Sequence, residues 1–125
     1  MKDAAIKITR ICSDEAGVSY FLDAALPTNL ITAVEGTPPL YSTQPTSATH
    51  LFSINPPDWQ GDMHVAPHKQ YVVILSGELE ITTGQNETRR FKAGDILLAE
   101  DTTGHGHKTV NPNDVPVVCS VAQVA

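Results

Sequence analysis

Gln70-Tyr71-Val72-Val73-Ile74-Leu75-Ser76-Gly77-Glu78-Leu79-Glu80-Ile81-Thr82 is the stretch that decides the fold. Its first half is β-branched and aromatic, Ser76-Gly77 is a turn, and Glu78 to Thr82 alternates polar and apolar with a period of two. That alternation predicts a half-buried strand after the turn. Before the turn both parities are apolar, Tyr71, Val73 and Leu75 as much as Val72 and Ile74. A continuous apolar run of this length predicts a strand buried on both faces.

Working outward, short strand signals recur between turn residues. On the C-terminal side, Gly84-Gln85-Asn86 reads as a hairpin loop with Arg89-Arg90-Phe91 on its return. Lys92-Ala93-Gly94-Asp95 is a turn, Ile96-Leu97-Leu98-Ala99 a short buried strand, and Val115 to Val121 a last strand around Pro116. On the N-terminal side, Thr49 to Ile54 reads as a strand closed by Asn55-Pro56-Pro57. Thr28 to Pro45 carries Pro38-Pro39 and Pro45, which predicts loop or edge strand. Ser19 to Leu22 and Lys7 to Ile11 complete the set, with one short turn at Asp14-Glu15-Ala16. No stretch keeps apolar spacing of 3.6 residues, so helix content is expected to be low. Many short strands at this spacing predict an all-β sandwich or barrel.

Length and charge bound the function. The chain has 125 residues, 41% hydrophobic and 18% charged, which suits one folded domain spanning 1–125. Its net charge of −6 argues against nucleic acid and against an anionic membrane surface. Apolar runs are too short for a membrane span. Met1-Lys2-Asp3-Ala4-Ala5-Ile6 lacks the apolar core of a signal peptide, so a cytoplasmic protein is expected. Without export, Cys12 and Cys119 read as free thiols serving as small core residues.

Two segments hold the imidazoles. One is His64-Val65-Ala66-Pro67-His68-Lys69-Gln70 leading to Gly77; the other is Gly94 leading to His105-Gly106-His107. His64, Ala66, His68 and Gln70 have one parity, so a regular strand turns them to one face. On these residues the chain resembles the cupins, double-stranded β-helix (jelly-roll) barrels marked by two motifs. Gln70 falls on the glutamate position of the first motif, His64 on its first histidine and Ala66 on its second. Gly94 opens the second motif. Its histidine is His105 by simple counting, or His107 by likeness to a subgroup of small single-domain cupins.

The resemblance implies an all-β cupin barrel, a homodimer, and a cavity for a small organic molecule. It leaves the chemistry open, because cupins include isomerases, lyases, dioxygenases and binders without activity. One reading has a divalent transition metal (Zn, Fe, Ni or Mn) held by His64, Gln70 and His107. The other has no metal: the cavity binds a small molecule, or His107 works with Glu100 as a general acid/base pair. Of Glu100 and Asp101, only one faces inward if the strand runs through them. His50, His68 and His105 are further candidates for the cavity wall. Asp58-Trp59 is a candidate lid or dimer contact.

Overall fold

The computed structural model describes residues 4–124. Met1 to Asp3, part of the segment read for targeting, lie outside them. Eleven strands follow in order, with no helix among the described residues: β1 (Ile6–Ser13), β2 (Ser19–Leu26), β3 (Asn29–Ile31), β4 (Leu40–Ser42), β5 (Thr49–Asn55), β6 (Gln70–Ser76), β7 (Glu78–Thr82), β8 (Thr88–Lys92), β9 (Ile96–Ala99), β10 (Lys108–Val110) and β11 (Val117–Gln123). They form a six-stranded sheet in the order β2-β1-β9-β6-β11-β5, a three-stranded sheet β10-β7-β8, and a separate hairpin β3-β4. Pairing is antiparallel except between β1 and β9. The architecture is an all-β jelly-roll barrel.

Strand parity builds the core. Ile74, Leu97, Val117, Cys119 and Val121 point inward from the large sheet and meet Leu79, Ile81 and Phe91 from the small one. Phe21 joins them, its ring 5.8 Å from that of Phe91. Each such side chain stabilises the fold by roughly 1.5–3 kcal/mol through removal from water. The chain passes from the large sheet to the small one at Gly77, whose φ is +80°. A Cβ there would lie 2.7 Å from the Pro116 carbonyl oxygen, so the Ser76-Gly77 turn is a corner of the barrel that only glycine fits.

Every strand read from the sequence is present. The structure adds β10, whose three residues were too few to carry a period. It also resolves Thr28–Pro45 into the β3–β4 hairpin with its connecting loop. Both cysteines are free and buried. Cys119 belongs to the core, but the Cys12 thiol donates to the Glu100 carboxylate at 3.4 Å, so Cys12 is more than a small hydrophobe. No helix of the described residues is long and apolar enough to cross a membrane.

Candidate functional site

The two imidazole segments meet at one end of the barrel. His64 and His107 form an isolated antiparallel bridge, each backbone N–H donating to the other's carbonyl, at 3.0 and 2.9 Å. Gly106 makes this approach possible. Its φ is +77°, and a Cβ on it would fall 1.9 Å from the His64 carbonyl oxygen. The buried Ser19 hydroxyl donates to the Gly106 carbonyl at 2.7 Å, fastening the loop from beneath.

The rings follow the backbone, with centroids 5.0 Å apart. His64 Nδ1 lies 2.7 Å from the Asp62 carbonyl oxygen. A carbonyl can only accept, so Nδ1 carries the proton and Nε2 keeps a lone pair. His107 Nδ1 lies 2.6 Å from Asp101 Oδ2, in a pair that is almost wholly buried. Facing that carboxylate, a neutral His107 ring holds its proton on Nδ1 and leaves Nε2 free to accept. Gln70, the first residue of β6, contributes a buried Oε1 with no hydrogen-bond partner. His64, His107 and Gln70 together line a cavity of about 80 Å³, with Thr109 as a further polar residue and a mostly apolar wall that includes Ile11, Val72, Leu79, Ile81 and Leu97.

Glu100 is not the partner of His107, and Asp101 takes that place. Ala99 points into the cavity, so alternation sends Glu100 outward and Asp101 inward. Glu100 instead accepts from Arg10 Nε at 2.7 Å and lies 3.4 Å from the Lys69 ammonium. Partial burial pushes the Glu100 carboxyl up, but the bonds from Arg10 and Cys12 and the nearby cations outweigh it, leaving its pKa below the ordinary value. Asp101 has a second oxygen, Oδ1, that is buried without a partner. The alternation past Ala99 was the signal for Asp101.

Of the three additional histidines, none lines the cavity. His50 sits on the far edge strand β5, with Nε2 2.6 Å from the Ser120 hydroxyl and its ring edge-on to Phe52. His68 is exposed. His105 is exposed and leans on the β1–β2 turn, its N–H donating to the Gly17 carbonyl at 2.9 Å. Between the two counts for the second motif, the structure brings His107, not His105, to the cavity. Trp59 stacks over Gly61, where a Cβ would meet its ring at 2.8 Å.

A larger groove of about 920 Å³ opens between β1–β2 and β8, sharing no residue with the imidazole cavity. Its arginines are already paired: Arg89 with Asp23 and Glu87, and Arg90 with Glu78 and Glu80. Its chemistry is that of a solvated surface cleft.

The strand order and the imidazole cavity define an all-β jelly-roll barrel with a polar end. Residues 50–122 match the cupin domain family, more than half of the chain, and the chain belongs to that family. A cupin 2 conserved barrel domain protein from Salinispora arenicola has a similar structure, with TM-score 0.52 and 14% identity over 92% of this chain and 81% of that one. The Cnp3 cupin domain of Schizosaccharomyces pombe is similar too, with TM-score 0.51 and 14% identity over 96% of this chain and 88% of that one. At such identity the likeness shows the fold alone. No curated protein matches the sequence.

Proposed function

We propose that this cupin binds a small oxygen-bearing organic molecule at a divalent transition-metal centre held by His64 Nε2, His107 Nε2 and Gln70 Oε1. One observation carries the reading: both imidazoles spend their Nδ1 protons outside the cavity, on Asp62 and Asp101, while a third acceptor, Gln70 Oε1, is buried beside them without a donor. Three Lewis bases lining one mostly apolar cavity, with the Thr109 hydroxyl the one other polar side chain on its wall, call for a cation or a donor-rich ligand. Imidazole suits a transition metal, and an outer hydrogen bond from each ring to an oxygen is the usual support for a ligating histidine.

The donor set fits a weakly held ion. Among the described residues no group of three or more His, Cys, Asp or Glu is placed to hold a metal, so the third donor must be the amide. A neutral amide in place of a carboxylate leaves the full charge of the ion uncompensated, which favours an anionic ligand such as a carboxylate or enolate. An ion bound there supplies Lewis acidity toward a ligand oxygen. The protein fixes the two rings, excludes water with Val72, Leu79, Ile81 and Leu97, and admits the ligand past the exposed His64. The cavity has room for roughly two or three water-sized groups, at ~30 Å³ each.

The test is metal titration by calorimetry on protein prepared without chelator. His64→Ala and His107→Ala are each expected to weaken binding by at least about 10- to 100-fold, and Gln70→Glu to strengthen it. No binding to the parent protein sinks the metal reading. A specific feature then favours a second one, a metal-free cavity in which His107 accepts or returns a proton at Nε2 and Asp101 fixes its tautomer. In that case Asp101→Asn changes the nitrogen shifts of the His107 ring with no metal present, while Glu100→Gln leaves them alone.

A further inference from the structure

Thr109 lines the imidazole cavity from β10, the strand too short to show a period in the sequence. Its partner across the ladder is Ile81 of β7, a core residue, so Thr109 shares the inward face. His107 stands two residues earlier on the same face, roughly 6.6 Å away along the strand. The backbone is held from the other side as well, where the Gly61 N–H donates to the Thr109 carbonyl at 2.9 Å. Gly61 belongs to the segment that runs into His64, so both imidazoles and Thr109 are fixed in one frame.

Among the described residues no group hydrogen-bonds the Thr109 hydroxyl. The other polar atoms of the wall are short of hydrogens. His64 and His107 spend their Nδ1 protons on Asp62 and Asp101, and Gln70 Oε1 is an acceptor. Beside the amide hydrogens of Gln70, the Thr109 hydroxyl is therefore the donor that this wall offers to a ligand oxygen. A simple enolate or alkoxide has one oxygen, and that oxygen goes to the metal. A carboxylate has two, and its second oxygen needs a donor once water is excluded. Space sets the rest. About 80 Å³ holds roughly two or three water-sized groups at ~30 Å³ each, so a carboxylate and one carbon group fill it. Ile11, Val72, Leu79 and Leu97 give that carbon apolar neighbours, and any longer chain leaves past the exposed His64.

We propose that the ligand of this cavity is a small monocarboxylate, and that Thr109 selects it by donating its hydroxyl hydrogen to the carboxylate oxygen not on the metal. The inference rests on the metal centre proposed above and names the class of anion that it takes. Thr109 is then a specificity residue: it touches the ligand, not the ion.

Calorimetry of acetate binding to the full chain saturated with Ni²⁺ tests it. The parent protein is expected to bind acetate at least about 10-fold more tightly than acetamide, its neutral counterpart. Thr109→Val keeps the shape and removes the donor, and is expected to lose roughly 10- to 100-fold in acetate affinity. Thr109→Ser keeps the donor and should stay within about threefold of the parent. Equal acetate binding by the parent and Thr109→Val overturns the assignment. So does a Thr109→Ser protein as weak as Thr109→Val, which traces the loss to the missing methyl. The comparison of acetate with acetamide needs no variant, and equal binding of the two also overturns the proposal. Ni²⁺ uptake separates its failure from that of the metal centre. A parent protein that takes up Ni²⁺ without preferring acetate loses the Thr109 assignment alone, whereas one that takes up no Ni²⁺ loses both.

Discussion

On β7 and β8 the outward positions are Glu78, Glu80, Arg90 and Lys92, directly paired across the ladder as Glu78 with Lys92 and Glu80 with Arg90. On β5, β11 and β6 the outward positions are His50, Phe52, Ile54, Val118, Ser120, Val73 and Leu75, with no formal charge. Both sheets put the same kind of residue into the shared core, so burial alone does not separate them. The outer faces do. The small sheet meets water and satisfies it with ion pairs, whereas the β5, β11 and β6 strands of the large sheet present an outer face without formal charge.

The sharpest way to break this comparison is a pair of neighbours on β6. Ile74 faces the core at 1% exposure and Leu75 faces outward at 47%. Ile74→Ala is expected to cost about 2–5 kcal/mol in urea unfolding. Leu75→Ala should cost less than about 1 kcal/mol. Equal costs for the two would mean that the outer face is covered within a single chain.

A smaller effect sharpens the rim of the large sheet, where Arg10, Lys69 and Cys12 surround Glu100. The Glu100 pKa is lowered in the folded protein. Its contribution is therefore complete above the unfolded value, near 4.5, and is lost as pH falls through the folded one. Thermal unfolding followed across that range should show an acid-dependent loss in the parent protein that is reduced in Glu100→Gln. The same slope in both would place the acid sensitivity elsewhere.

The smallest effect belongs to the small sheet. Arg90 is 57% exposed and reaches Glu78 and Glu80 at 3.5 and 3.2 Å. Arg90→Ala should cost only about 0.2–1 kcal/mol, and less at high salt. A larger, salt-independent loss would show that this face is buried against something after all.

The sequence carried the barrel well because its signals are local. Alternation in Glu78–Thr82 and the unbroken apolar run of Tyr71–Leu75 follow from side-chain direction along one strand, and both strands lie where they were read. β10 escaped because three residues cannot display a period. The histidine segments were legible as a cavity, but their partners were not. Asp101 was one of two adjacent carboxylates, and choosing it required knowing that Ala99 faces inward. His105 and His107 share a parity, so alternation could not separate them. The loop sends one to the Gly17 turn and the other to His64.

By itself, then, the sequence determined the strands, the barrel class and the two segments that furnish the cavity, since each depends on neighbours within a few residues. Its doubly apolar run predicted a β6 buried on both faces, whereas the outer face leaves Leu75 47% exposed. Only the tertiary structure decided which imidazoles meet, which carboxylate orients His107, and that four uncharged strands, β9, β6, β11 and β5, lie side by side. Those outcomes depend on contacts between positions far apart in the chain: His64 with His107 across the barrel mouth, and β5 beside β11 beside β6. Sheet order and loop closure create such neighbours, and no short window of sequence contains them.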